Sequence, residues 1–127
     1  MNKHVLVWVD HKQAHVFSIQ AENTEESTIT APLHNIHHKH PRGPGEPKAH
    51  PDDAKRFFHE VVGTLAAAEE VLIVGPGTAK LELLKYVHKH DHALEPKIVG
   101  IETVDHPTGP QLVAYAKTYF KASERMR

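Results

Sequence analysis

Val71-Leu72-Ile73-Val74-Gly75-Pro76-Gly77-Thr78-Ala79-Lys80-Leu81-Glu82-Leu83-Leu84 reads as a buried strand, a tight turn and the start of a helix. Four aliphatic residues in a row, three of them β-branched and none alternating with a polar one, describe a strand covered on both faces. Gly75-Pro76-Gly77 ends the strand, and Thr78 is placed to cap the helix with its hydroxyl. Leu81, Leu84 and His88, beside Leu83 and Val87, supply that helix's apolar side. A buried strand that feeds directly into a helix is the repeating unit of α/β proteins.

The pattern extends in both directions. Upstream, Asp52 or His50 caps a helix with apolar residues at Ala54, Phe57, Phe58, Val61, Val62 and Leu65, a stripe at helical spacing that faces a sheet. Downstream, Ile98-Val99-Gly100-Ile101 is another buried strand. Thr108 or Gly109-Pro110 opens a final helix with Leu112, Tyr115, Ala116, Tyr119 and Phe120 inside. At the amino end, Val5-Leu6-Val7-Trp8-Val9 is a second fully buried run, and Asp10 to Gln13 reads as a turn. Ala14 to Gln20 is a strand, Glu22-Asn23-Thr24 a turn, and Ser27 to Ala31 a polar strand near an edge. The order is β-β-β-loop-α-β-α-β-α. Right-handed crossovers make the last two strands parallel to the first, with helices on both faces. The expected fold is α/β, a ribonuclease H-like mixed five-stranded sheet, with residues 1–127 forming a single domain.

Composition narrows the function. The chain has no cysteine, so disulfides and thiolate metal sites are excluded. The aliphatic start from Val5 to Val9 is too short for a membrane span or a signal peptide, which implies a cytoplasmic protein without a membrane partner. A net charge of −1 provides no global attraction for nucleic acid. Thirteen histidines are the exception: their full protonation adds thirteen charges and carries the chain to +12. Its electrostatics are therefore sensitive to pH between 5 and 7.

The segment 32–51 breaks the pattern. It contains Pro32, Pro41, Pro44, Pro47 and Pro51, with Gly43, Gly45 and five histidines. A stretch of this length without a core-forming pattern is expected to be an exposed loop, either functional or disordered. Lys39, Arg42 and Lys48 stand there against a single acid, Glu46.

Three stretches resemble the middle domain of archaeal and eukaryotic class-1 peptide-chain release factors and of their relative Pelota. They are Val9-Asp10 before a hairpin, His38-Lys39-His40-Pro41-Arg42-Gly43, and Val74-Gly75-Pro76-Gly77-Thr78-Ala79-Lys80-Leu81-Glu82-Leu83. The likeness covers about residues 4 to 120 and extends to bacterial stand-alone translational machinery proteins. It implies a ribosomal partner, with rRNA or tRNA as the ligand and no cofactor. In the release factors this loop carries Gly-Gly-Gln, which places a water at the peptidyl-tRNA ester. Here the residues are Gly43-Pro44-Gly45-Glu46. Proline removes a backbone N–H and fixes φ, and no glutamine follows, so peptide release is not expected.

The leading expectation is a non-enzymatic RNA- or ribosome-binding protein that uses Lys39, His40, Arg42, Gly43, Gly45, Lys48 and Lys80. The turn before Lys80 lacks G-x-x-x-x-G-K-[ST] and so is not a nucleotide-hydrolysing loop, although the amides of the helix start can hold a phosphate. One alternative is a metal-dependent nuclease or hydrolase. It would place Asp10, Asp105 and His106 at the carboxyl edge of the sheet, where open α/β sheets bind ligands, with Glu102 nearby and Glu60 on the first helix. The acid that such a nuclease needs at the end of the fourth strand is replaced by Gly75-Pro76. Another alternative is a histidine-rich metal-binding protein using His34, His37, His38 and His40, since imidazole suits zinc, nickel and copper. The run His88-x-His90-x-His92 ends a helix, where histidine suits the negative end of the dipole.

Overall fold

The computed structural model describes residues 4–20, 24–31, 51–105 and 107–125. It is an α/β fold on one mixed sheet. The strands are β1 (His4–Val9), β2 (Gln13–Ile19), β3 (Thr24–Thr30), β4 (Glu70–Gly75) and β5 (Ile98–Thr103). The helices are α1 (Pro51–Thr64), α2 (Ala79–His90) and α3 (Gly109–Arg125). The strand order is β3-β2-β1-β4-β5, with β1–β2 and β2–β3 antiparallel and β1–β4 and β4–β5 parallel. This is the arrangement expected from the sequence.

β1 is central, and every residue from Val5 to Val9 is buried. Its alternate side chains enter two separate cores. Val5, Val7 and Val9 join Val71 and Ile73 under α1 and α2, where Phe57, Val61, Leu65, Leu83 and Val87 pack. Leu6 and Trp8 join Phe17, Leu72 and Val74 under Leu112, Ala116 and Phe120 of α3. The period-2 alternation of a strand thus accounts for helices on both faces.

Some boundaries and faces differ from the sequence reading. β3 begins at Thr24, paired with Ile19, so the turn before it is shorter than expected and the third strand longer. In α2 the buried stripe is Ala79, Leu83 and Val87, while Leu81 is 47% exposed and His88 is also exposed. Spacing alone offered two rows of leucines, and the crossing of α2 over β4 selected the one containing Leu83. Of the two residues expected to cap α1, His50 lies outside the described residues, and Asp52 falls within the helix, which begins at Pro51.

α3 starts as its residues require. The Thr108 hydroxyl accepts the Gln111 N–H at 3.3 Å, and the Gln111 carboxamide oxygen accepts the Thr108 N–H at 2.9 Å. This reciprocal pair is a capping box, with Pro110 in the first turn where no N–H is needed. Among the described residues, no helix is long and apolar enough to cross a membrane.

Candidate functional site

Three connections meet at the carboxyl edge of the sheet: β1–β2, β4–α2 and β5–α3. The first is organised by Asp10. Its Oδ1 accepts the N–H groups of Lys12 at 2.8 Å and Gln13 at 2.9 Å, while its own N–H donates to the Gln13 carbonyl at 3.0 Å. An aspartate that binds the backbone two and three residues ahead shapes a tight turn. The Asp10 carboxylate is thus committed to the hairpin.

The second connection sits tightly against the first. A Cβ on Gly75 would run into the carbonyl oxygen of Val9, so the approach of β4 to β1 requires glycine. The Gly75 carbonyl then accepts the Val104 N–H at 3.1 Å and joins the third connection to the second. Thr78 takes the N-cap position of α2 with φ −97° and ψ −7°, but its hydroxyl makes no bond to the helix amides. It donates instead to Glu82 Oε2 at 3.4 Å, which corrects the expectation of a hydroxyl cap. A helical ψ at Thr78 points the side chain away from the amides that an extended N-cap would reach. His11 Nε2 lies 3.1 Å from the same Glu82 oxygen and bridges the first two connections.

Lys80 is the one RNA-contact candidate among the described residues. It is 6% exposed, and its Nζ donates to the Gly77 carbonyl. Lys39, His40, Arg42, Gly43, Gly45 and Lys48 lie outside the described residues. So do His34, His37 and His38, and so does His106.

In the third connection the Asp105 side chain is exposed, and its carbonyl receives the Trp8 indole N–H at 2.9 Å. Asp105 lines a hollow of about 390 Å³ with Val104, Pro107, Gln111, Leu112 and Tyr115. Glu102 is half-buried in β5, and Glu60 is exposed on α1. Among the described residues, no group of three or more histidines and carboxylates is arranged to hold a metal ion.

A feature the sequence reading missed lies next to this edge, on the α3 face. A second hollow, of about 230 Å³, is lined by Trp8, Gln13, His15, Phe17, Glu26, Pro107, Gly109 and Leu112. On its rim His15 Nδ1 lies 3.3 Å from both Glu26 Oε2 and Thr28 Oγ1. These residues share a face because β2 and β3 pair His15 with Thr28 and Phe17 with Glu26. The signal in the sequence was the alternation Gln13, His15, Phe17, but its partners depend on the register.

No family model matches the chain, and no curated protein matches it. Solved structures do. Archaeoglobus fulgidus Pelota superposes with a TM-score of 0.63 at 15% identity, over 91% of this chain and 31% of its own. The archaeal translation termination factor aRF1 gives 0.53 at 19%, over 98% and 39%. The fold is that of a Pelota/aRF1 domain. Saccharomyces cerevisiae Dom34, a translation termination-like factor, shares it with a TM-score of 0.55 at 14% identity, over 97% of this chain and 36% of its own. The chain therefore spans about a third of the length of these factors. At such identities the likeness is one of fold. In the Pelota/aRF1 fold as this chain builds it, residues 32–50 connect β3 to α1.

Proposed function

We propose that this chain is a non-enzymatic protein of the translation machinery that associates with the ribosome and contacts rRNA or tRNA. The observation that carries the reading is the fold. Nearly the whole chain superposes on Pelota, on the archaeal translation termination factor aRF1 and on Dom34, a translation termination-like factor involved in RNA quality control. The contact is assigned to Lys39, His40, Arg42, Gly43, Gly45 and Lys48 in the segment 32–51, with Lys80 as a further cation. Arginine holds a phosphate bidentately and glycine lets backbone approach it closely, so this composition suits an RNA backbone. Peptide release is outside the proposed activity, because Gly43-Pro44-Gly45-Glu46 has neither the free amide nor the glutamine that release would use.

The experiment is co-sedimentation of the untagged full chain with ribosomes from growing and from starved cells, in low and high salt. Salt-sensitive recovery in the ribosomal fractions is expected. Recovery only at the top of the gradient, in every state and salt, would overturn the reading.

A further inference from the structure

His15 and Glu26 belong to different strands and meet because β2 and β3 pair in one register. His15 Nδ1 lies 3.3 Å from both Glu26 Oε2 and Thr28 Oγ1, so the carboxylate is held at the rim of the hollow of about 230 Å³. Among the described residues, Glu26 Oε1 takes no hydrogen bond. The floor is apolar and fixed: Trp8, Phe17 and Leu112 line the hollow and are buried in the core under α3. Pro107 adds a half-buried wall. Pockets for drug-sized ligands run from about 300 Å³ upward, so this smaller space suits a single flat ring system. An aromatic heterocycle buries its faces on such a floor and presents its polar edge to the carboxylate.

The space does not end there. A larger hollow of about 510 Å³ adjoins the first and shares Phe17, Glu26 and Gly109 with it. Its walls include Thr24 on β3 and Val113 and Lys117 on α3. Lys117 is exposed, so its ammonium can meet an anion with little desolvation cost. Gly109 places no side chain where the two hollows join: a Cβ there would stand 3.8 Å from the Phe17 ring. An apolar slot, a carboxylate on its rim and a cation in the adjoining space thus lie side by side. A nucleotide carries the matching parts in its base and its phosphate.

We propose that the slot under Glu26 binds the guanine base of a nucleotide, with the phosphate held by Lys117. An ionised carboxylate only accepts hydrogen bonds. Guanine presents two neighbouring donors on one edge, the ring N1–H and the exocyclic amino group, which match the two carboxylate oxygens. Adenine and cytosine set their amino group beside a ring acceptor, which a carboxylate repels. Uracil offers one N–H between two carbonyl oxygens. The carboxylate therefore selects guanine, and the floor binds its faces. Single-stranded RNA exposes unstacked bases in the form this slot takes. The inference deepens the RNA-binding reading and rests on it only for the source of the guanine, an RNA strand rather than a free guanine nucleotide.

Trp8 is the chain's single tryptophan and lines the slot, so its fluorescence reports occupancy. The full chain is titrated with the monophosphates of guanosine, adenosine, cytidine and uridine, and separately with a short uridine-rich RNA that carries one guanine and no terminal phosphate. A saturable change is expected with the guanine ligands, at about tenfold higher affinity than with the other bases. Glu26→Gln alters an exposed residue, puts a donor against the guanine donors and is expected to lose that preference. Gly109→Leu fills the slot and is expected to abolish saturable binding. Its backbone lies outside the left-handed region and its Cβ meets Phe17 at ordinary contact distance, so the start of α3 accepts the change. Glu26→Gln carries the test if Gly109→Leu does not fold. Saturation by the RNA assigns the guanine to a strand, and saturation by guanosine monophosphate alone assigns it to a free nucleotide. Absence of a saturable change with both, equal affinity for every base, a preference retained in Glu26→Gln or parental affinity in Gly109→Leu overturns the proposal. Ribosome co-sedimentation is a separate readout, so failure of the translation reading leaves this result standing.

Discussion

The indole Nε1 of Trp8 donates to the carbonyl of Asp105 at 2.9 Å, joining the end of the central strand to a connection 97 residues further on. Trp8 is otherwise packed in the core under α3. Trp8→Phe keeps an aromatic ring there but removes the donor and leaves a smaller side chain. The variant is expected to lose about 1–3 kcal/mol, the sum of a hydrogen bond and a partly filled cavity. Urea denaturation of the two proteins measures it, and equal midpoints at equal slope would mean that the bond contributes nothing.

Gly75 and Gly77 lie two residues apart, and their tolerance should differ sharply. At Gly75 a methyl group meets the Val9 carbonyl, a backbone atom that cannot turn aside, so Gly75→Ala should cost about 3 kcal/mol or more. At Gly77 nothing stands within 4 Å, and Gly77→Ala should stay within about 0.5 kcal/mol of the parent. Thermal unfolding of the pair checks this, and similar losses at both sites would contradict the described packing of β4 on β1.

The capping box at α3 has a measurable value. Thr108→Ala removes the acceptor for the Gln111 amide and should destabilise the protein by about 1 kcal/mol. Gln111→Ala removes the reciprocal acceptor for the Thr108 amide, and the double variant should lose less than the two singles combined, because the two bonds support each other. Strict additivity in a double-mutant cycle would show two independent contacts instead.

If Lys39, Arg42 and Lys48 contact RNA, their joint replacement by alanine should flatten the slope of log K against log salt by about two to three units. The midpoint of unfolding should stay near that of the parent. Unchanged binding and salt dependence would move the contact to the Lys80 edge.

The last expectation concerns chemistry and follows from the proposed function. Labelled formyl-methionine should not leave programmed ribosomes faster with this protein than with buffer, because Gly43-Pro44-Gly45-Glu46 contains no glutamine and a proline without an N–H. Release above the buffer rate would refute it.

The scaffold was largely legible, because apolar runs and stripes announce which faces are covered. Val5–Val9 and Val71–Val74 could be read as doubly buried strands from their side chains alone, and Leu112, Ala116 and Phe120 as an inner face. The edge chemistry was less legible. The pair His11 and Glu82 is 71 residues apart in sequence, and the group His15, Glu26 and Thr28 exists only in one register of β2 on β3. The orientation of Thr78 turns on a single backbone angle, which its residue type does not fix. Asp10 was legible most simply as a turn residue and only secondarily as a sheet-edge acid; the two N–H groups on its Oδ1 show what holds it in this structure.

The way the chain enters and leaves residues 32–50 bears on how such a protein can diversify. On one side the Ala31 N–H is tied to the Lys12 carbonyl at 2.8 Å, and on the other α1 begins at Pro51 and carries Phe57 and Val61 into the core. Both attachment points are anchored by contacts that do not involve the intervening residues. For loops in general, doubling the length between fixed ends adds only about 0.6 kcal/mol of closure entropy. The frame therefore works as a socket: a lineage can lengthen, shorten or rewrite the inserted segment, and with it the ligand, while the rest of the molecule folds as before.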